Sequence, residues 1–215
     1  MRNLRQRILK SRKKAPERGV GIPNWFYYVK ENFEEFVPQT EIRALQIGAY
    51  AGDFSKWLLE NRTVIRLDDV DTWKGSDDEG GLVTNWKQVF KYYSFQMRGF
   101  RNVNVYRTIS DDFFKSIPET HAYNFVYIDG SHLARQVLTD GLNAFEHLEL
   151  HGIMVFDDYL WNNNVDPYKN PKLGIDAFLK FHEGNLEVVM KEYQVWIKKV
   201  DSLEVKRNGE PTLEN

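Results

Sequence analysis

From about residue 43 the apolar positions of this chain switch between two spacings. Short runs rich in β-branched and aromatic residues fall at Arg43–Ile47, Thr63–Val70, Val103–Arg107, Tyr123–Asp129 and Ile153–Phe156, and each predicts a strand. Between them apolar residues recur every three or four positions over Phe54–Asn61, Trp86–Phe100, Ser110–Ile117 and Ala134–Leu150, which predicts helices. Trp86, Phe90, Tyr93, Met97 and Phe100 form the plainest stripe. It reads as a core-facing surface, with a stacking platform for bases as the functional alternative. YNFVYID and IMVF are apolar almost throughout, as strands buried on both faces are.

The punctuation fits this rhythm. Asn24 and Ser110 are expected helix caps. Trp25, Val29, Phe33 and Phe36 share one face of an expected helix over 24–37, with Pro38 beyond its end. Gly152, after His151, suits the left-handed position that ends the 134–150 helix. Residues 74–84 and 159–172 read as loops. A helix is expected at about 173–183, then two strands, Leu186–Met190 and Tyr193–Lys199, around a turn at Lys191-Glu192. Strands alternating with helices predict a doubly wound α/β fold: a parallel sheet covered on both faces, with right-handed crossovers.

Composition supports one globular domain: 42% hydrophobic, 28% charged and 14% aromatic residues. No apolar run approaches the ~20 residues of a membrane span, and none follows the N-terminus as a secretory signal requires. Without cysteine there are no disulfides, thiolate zinc sites or cysteine nucleophiles. A cytoplasmic protein without membrane association is the expectation. Charge changes the picture more. Residues 1–18 hold eight bases against Glu17, or +7, so a net charge of −2 leaves −9 for the remainder. We divide the chain into a basic arm (1–20), a single domain (21–200) and a polar tail (201–215). The arm is either a solvated terminus or a contact for nucleic acid or another anionic surface.

In open α/β sheets ligands bind beyond the carboxyl ends of the strands. At the first such end lies QIGAYAGDFS, residues 46–55. Gly48 and Gly52 allow close backbone approach there. The Gly-x-Gly-x-x-Gly pattern of dinucleotide folds is missing, and Asp53 at the helix start can itself accept the free backbone N–H groups. A pyrophosphate would meet that negative charge, so a phosphate-free cation suits the loop better. Asp71 ends the second strand, nineteen residues after Gly52, where an acid can accept hydrogen bonds from ribose hydroxyls; Asp68 and Asp69 are its competitors. YIDGSH (127–132) and FDDY (156–159) end two further strands. If these are neighbours, ~4.8 Å apart, Asp129, Asp157 and Asp158 converge, and such a set suits a hard cation such as Mg²⁺. Asp157 and Asp158 can both take part only if the chain leaves strand geometry, since alternate side chains point to opposite faces; otherwise one is a cap or loop acceptor. His132, with a reference pKa near ~6.5, can take a proton at neutral pH.

Together ALQIGAYAGDFS, DTWKG (71–75), FVYIDGSH, GIMVFDDY and GIDAFLKF…YQVWIKK resemble the class I S-adenosylmethionine-dependent methyltransferases of the group that includes macrocin-type sugar O-methyltransferases. The likeness runs from about residue 43 to 199. It implies a Rossmann-like sheet of seven strands with an antiparallel last strand, which the terminal hairpin would supply. It places the cofactor's methionine part on Gln46, Gly48, Gly52 and Ser55, its ribose on Asp71 and its adenine near Ile109 and Ser110, with Asp129 beside it. The related catechol-type enzymes bind Mg²⁺ at positions matching Asp129, Asp157 and Asp158. They carry a general-base lysine where this chain has His132, so His132 and Asp129 are the catalytic candidates. Gln46 stands where the family usually carries Glu; it keeps an acceptor for the cofactor's amino group but removes a charge. The implied reaction is Mg²⁺-assisted methylation of a small-molecule hydroxyl. Tandem Asn162–Asn164 and Tyr168 are candidate partners for sugar hydroxyls. Nucleic-acid methylation using the arm is the alternative, but Asp129-Gly130-Ser131-His132 stands where amino-directed enzymes carry an Asn/Asp-Pro-Pro-Tyr type motif. A catalytically silent binding module is the second alternative.

Overall fold

A computed structural model describes residues 18, 22–39, 41–75, 85–161 and 166–201. The 162–164 asparagines, the basic arm apart from Arg18, and the tail beyond 201 lie outside the described residues. Seven strands make one sheet: β1 (Ile42–Ile47), β2 (Val64–Val70), β3 (Val103–Tyr106), β4 (Tyr123–Ile128), β5 (Leu148–Phe156), β6 (Leu186–Lys191) and β7 (Val195–Lys199), in the order β3-β2-β1-β4-β5-β7-β6. The first five run parallel, and β7 is antiparallel to both β5 and β6. The order reverses between β1 and β4, which opens a crevice at their carboxyl ends. Among the described residues six α-helices flank the sheet: α1 (Lys30–Phe36), α2 (Asp53–Asn61), α3 (Trp86–Met97), α4 (Ser110–Ser116), α5 (Ala134–Glu146) and α6 (Pro171–Phe181).

Alternation along the strands explains the two-sided core. Leu45, Ile47, Val126, Ile128, Met154 and Phe156 pack on one face with Val137 and Phe145 of α5 and Ile175 and Phe178 of α6. Ala44, Leu67, Phe125, Tyr127 and Val155 pack on the other with Phe33 of α1 and Phe54 and Trp57 of α2. Of the α3 stripe, Tyr93 and Met97 are buried and Trp86 and Phe90 pack partly buried beside them; Val89, outside the stripe, is buried with them.

Three boundaries depart from expectation. The 24–37 segment is broken into a 3₁₀ turn at Phe26–Tyr28 and α1. Asn24 caps the turn by accepting from the Tyr27 N–H at 3.0 Å. The break lets Phe26 reach Phe54 and Trp57 and leaves Trp25 exposed, contrary to the expected stripe. Helix α5 stops at Glu146, and residues 148–150 belong to β5. Leu148 pairs with Tyr123 and Ile153 with Phe125, so the intervening residues bulge out. His151, not Gly152, takes the left-handed conformation (φ 65°). Gly152 is needed for space instead, since a Cβ there would lie 2.8 Å from the Glu149 carbonyl oxygen. Ser110 is the first residue of α4 rather than its cap, and Ile109 precedes it without a side-chain bond.

Candidate active site

The turn after β1 is built by close approach. Gly48 has φ 91°, and a Cβ there would fall inside the carbonyl oxygen of Asp129 at the end of β4. Gly52 has φ 78°, precedes α2 without offering a side-chain cap, and sits against the Tyr93 ring, 2.8 Å from where its Cβ would be. Gln46 lies buried beneath, donating to the Gly48 carbonyl at 3.2 Å. Ser55 is fully buried and donates to Gln46 at 2.8 Å. It therefore stands behind Gln46 and holds its carboxamide.

Asp71 is the acid at the end of β2. Its carboxylate accepts from the Tyr50 N–H at 2.8 Å and the Trp73 N–H at 2.6 Å. Tyr50 and Trp73 both have positive φ (44° and 47°), so Asp71 fastens two left-handed residues, which are also joined by the Trp73 indole N–H donating to the Tyr50 carbonyl at 2.8 Å. Burial raises its pKa, and the backbone bonds oppose the rise. Asp68 and Asp69 lie inside β2, fully buried. Asp68 accepts from Asn104 and Tyr123, with His121 Nε2 at 2.9 Å, and forms an ion pair with Arg66 Nε at 3.3 Å. Asp69 lies in register with Gln46, accepts from the Tyr93 hydroxyl at 2.7 Å, and burial pushes its pKa up to about 7. Beyond β3, the Ile109 side chain is half exposed. Ser110 is buried and accepts from Gln136 at 3.2 Å.

Asp53 does not cap α2. Its carboxylate is gripped by the guanidinium of Arg18, with Nη1 2.8 Å from Oδ1 and Nη2 on Oδ2. A bidentate, charge-assisted bond outcompetes single backbone donors for the same oxygens.

The ends of β4 and β5 are neighbours: Ile128 pairs with Phe156, and the Asp157 N–H donates to the Ile128 carbonyl. The Tyr127 hydroxyl donates toward both Asp129 (2.9 Å) and Asp157. Gln194 Nε2 adds a bond to Asp157 at 3.0 Å. Burial and the neighbouring carboxylates raise Asp129 well above the carboxylate range; the same causes lift Asp157 to about 6. Asp158 leaves strand geometry (φ 59°) and turns aside. One of its oxygens lies 3.1 Å from His132 Nε2, and the other accepts from the Tyr193 hydroxyl at 2.7 Å. Trp161 packs on the His132 ring at 4.2 Å between centroids. The expected meeting of three carboxylates is thus divided into an Asp129–Tyr127–Asp157 group and a His132–Asp158–Tyr193 group. Among the described residues no three acidic or histidine side chains are arranged to hold a metal ion.

Tyr127, Tyr193, Gln194 and Arg18 were not anticipated. Tyr127 was within reach of sequence reasoning, because a residue two places before Asp129 on a strand shares its face. Tyr193 and Gln194 carry no such signal; only the hairpin's return brings them beside Asp157 and Asp158.

A family profile described as a methyltransferase domain matches residues 45–159, more than half of the chain. An uncharacterised protein of Acanthamoeba polyphaga mimivirus is 22% identical over 149 residues, spanning 67% of this chain and 65% of that protein, so less than two thirds of its length. Among solved structures, an O-methyltransferase from Bacillus cereus in complex with S-adenosylhomocysteine superposes with TM-score 0.58 at 14% identity, covering 87% of this chain and 84% of that one. A protein described as a putative rRNA-methylase from Clostridium thermocellum gives 0.58 at 15%, covering 83% and 99%. The methyltransferase MycE of mycinamycin biosynthesis, solved with Mg, S-adenosylhomocysteine and mycinamycin VI, gives 0.55 at 16%, covering 90% and 53%. Among the described residues no helix is long and apolar enough to cross a membrane.

Proposed function

The chain belongs to the methyltransferase-domain family, and from that premise we propose that it transfers a methyl group from S-adenosylmethionine to a hydroxyl oxygen of a sugar or other small molecule. The observation that carries this reading is the gathering of Asp129, Asp157, Asp158 and His132 at the adjoining ends of β4 and β5, beside the glycine turn of β1.

The turn suits the cofactor's amino-acid part: Gly48 and Gly52 let it close tightly on the Asp129 backbone and the Tyr93 ring, and the start of α2 has no side-chain cap. Gln46 and the turn would hold the amino-acid part, with Ser55 fixing Gln46. Asp71 would hold the ribose, and Ile109 would lie against the adenine with Ser110 behind it. When bound, S-adenosylmethionine supplies an electrophilic methyl to the acceptor oxygen.

Asp129, Asp157 and Asp158 would hold Mg²⁺, which supplies a Lewis acid for the acceptor hydroxyl. The donors are all oxygen, as a hard cation requires, and a cation there would favour the ionised forms of Asp129 and Asp157, which burial and their neighbours disfavour. For all three to reach one ion, the bonds from Tyr127, His132 and Tyr193 would have to yield. The chain's own contribution is proton transfer and positioning. His132 takes the acceptor proton, with Trp161 packed on its ring to hold it in place.

Methyl-labelled S-adenosylmethionine and a panel of hydroxyl acceptors test the reading. Label should appear on oxygen, stop with chelator and return with Mg²⁺. His132→Ala should slow turnover by roughly 10²–10⁴-fold while cofactor affinity changes little. Full activity in chelator removes the metal role. Label on a nucleic-acid nitrogen, lost on deleting residues 1–17, replaces the acceptor class.

A further inference from the structure

Arg18 and residues 22–26 lie against the turn that follows β1, with contacts at three points. Arg18 grips Asp53, the first residue of α2. Ile22 is 4% exposed and packs with Ala49, Ala51, Trp73 and Tyr93. Phe26 packs on Phe54. The Arg18 side chain is itself pinned: Nε donates to the Ile22 carbonyl at 2.6 Å, Nη2 donates to the Pro23 carbonyl at 2.6 Å, and the guanidinium lies 5.4 Å from the Tyr92 ring centroid. Arg18 and Asp53 keep only 25% and 13% of their side-chain surface.

The arrangement has a consequence for α2. The N–H groups of a first helical turn have no acceptor within the helix, and a carboxylate at the first position is well placed to accept them. Asp53 is such a carboxylate, yet it faces Arg18, and no side chain caps the helix. We infer that Arg18 is a positioning residue for cofactor binding: it draws Asp53 away from the α2 amides and leaves them to the α-carboxylate of S-adenosylmethionine. Without Arg18, Asp53 swings onto those amides and competes with the ligand for the same donors. The inference rests on the proposal that the Gly48–Gly52 turn holds the cofactor's amino-acid part.

The test is a four-member cycle in the full chain: wild type, Arg18→Ala, Asp53→Ala and the double variant. Each is titrated calorimetrically with S-adenosylhomocysteine, which carries the same α-carboxylate, and its unfolding midpoint is recorded. Arg18→Gln runs alongside, so that a folding defect of the alanine variant does not stop the test. Arg18→Ala and Arg18→Gln should weaken binding about tenfold, the scale of a helix cap. Asp53→Ala should bind at least as tightly as wild type. The double variant should return to the Asp53→Ala affinity, because no competing carboxylate remains. If the double variant stays as weak as Arg18→Ala, Arg18 acts by tethering the segment alone and the inference fails. If Arg18→Ala and Arg18→Gln bind as wild type does, it also fails, with the cofactor reading intact. A wild-type chain that does not bind sinks the cofactor reading, and this one with it.

Discussion

Asp69 gives the sharpest test of the interior. It is fully buried on β2, in register with Gln46 of β1, and burial lifts its pKa from 3.8 to about 7, with Tyr93 opposing and Asp71 and Asp68 adding to the rise. Below pH 3.8 folded and unfolded chains both hold the proton, and the group costs nothing. Between 3.8 and 7 only the unfolded chain ionises, so stability falls as pH rises. Above 7 both ionise and the folded state bears the full penalty, about 4 kcal/mol at about 1.4 kcal/mol per pH unit. Following both titrations, the penalty is about 1.5 kcal/mol at pH 5 and about 4 kcal/mol at pH 8. Asp69→Asn has nearly the same shape, never ionises, and keeps an oxygen for the Tyr93 hydroxyl. Its stability relative to wild type should therefore rise by about 2.5 kcal/mol between pH 5 and pH 8. Urea unfolding of both proteins at the two pH values, extrapolated linearly to water, measures this difference. A difference that stays constant or shrinks with pH would refute the reasoning and place Asp69 in contact with solvent or a cation.

Two further substitutions separate architecture from chemistry. Tyr127→Phe removes the hydroxyl that donates toward Asp129 and Asp157, so it should cost about 1–3 kcal/mol in denaturant unfolding; an unchanged midpoint would mean another donor serves both acids. Gly48→Ala places a Cβ on the Asp129 carbonyl at a left-handed φ. It should lower stability by about 2 kcal/mol or more and abolish the thermal shift on adding S-adenosylmethionine, whereas a normal shift would show that the turn can move.

The layers of the fold were legible because their cause is local. Buried strands such as YNFVYI show unbroken apolar runs, and α3 shows its stripe at helical spacing. The strand ends were legible for the same reason, and Asp71 follows β2 directly. Failures arose where a distant contact overrode a local preference. The α5 pattern continued past Glu146, but pairing of Leu148 with Tyr123 drew those residues into the sheet. Asp53 had the local chemistry of a cap, and Arg18, 35 residues away, took it. Asp158 lay beside Asp157 in sequence, yet its left-handed backbone turned it toward His132 and Tyr193. Neither Arg18 nor Tyr193 carries a spacing signal that would reveal this.

The missing side chain at Gly48 also limits how this scaffold can change. Because the turn after β1 touches the backbone of Asp129 directly, the ends of β1 and β4 meet at a fixed separation, with no intervening atoms to trim or extend; under the proposed function these are the cofactor and acceptor sides of the crevice. A roomier acceptor chamber cannot be made by easing β4 away from β1 without breaking the sheet pairing that ends at Ile47 and Ile128. Under that reading, changes in acceptor size would have to come from elsewhere, and exposed Leu160, next to the Trp161 that packs on His132, is a position where variation costs the sheet nothing.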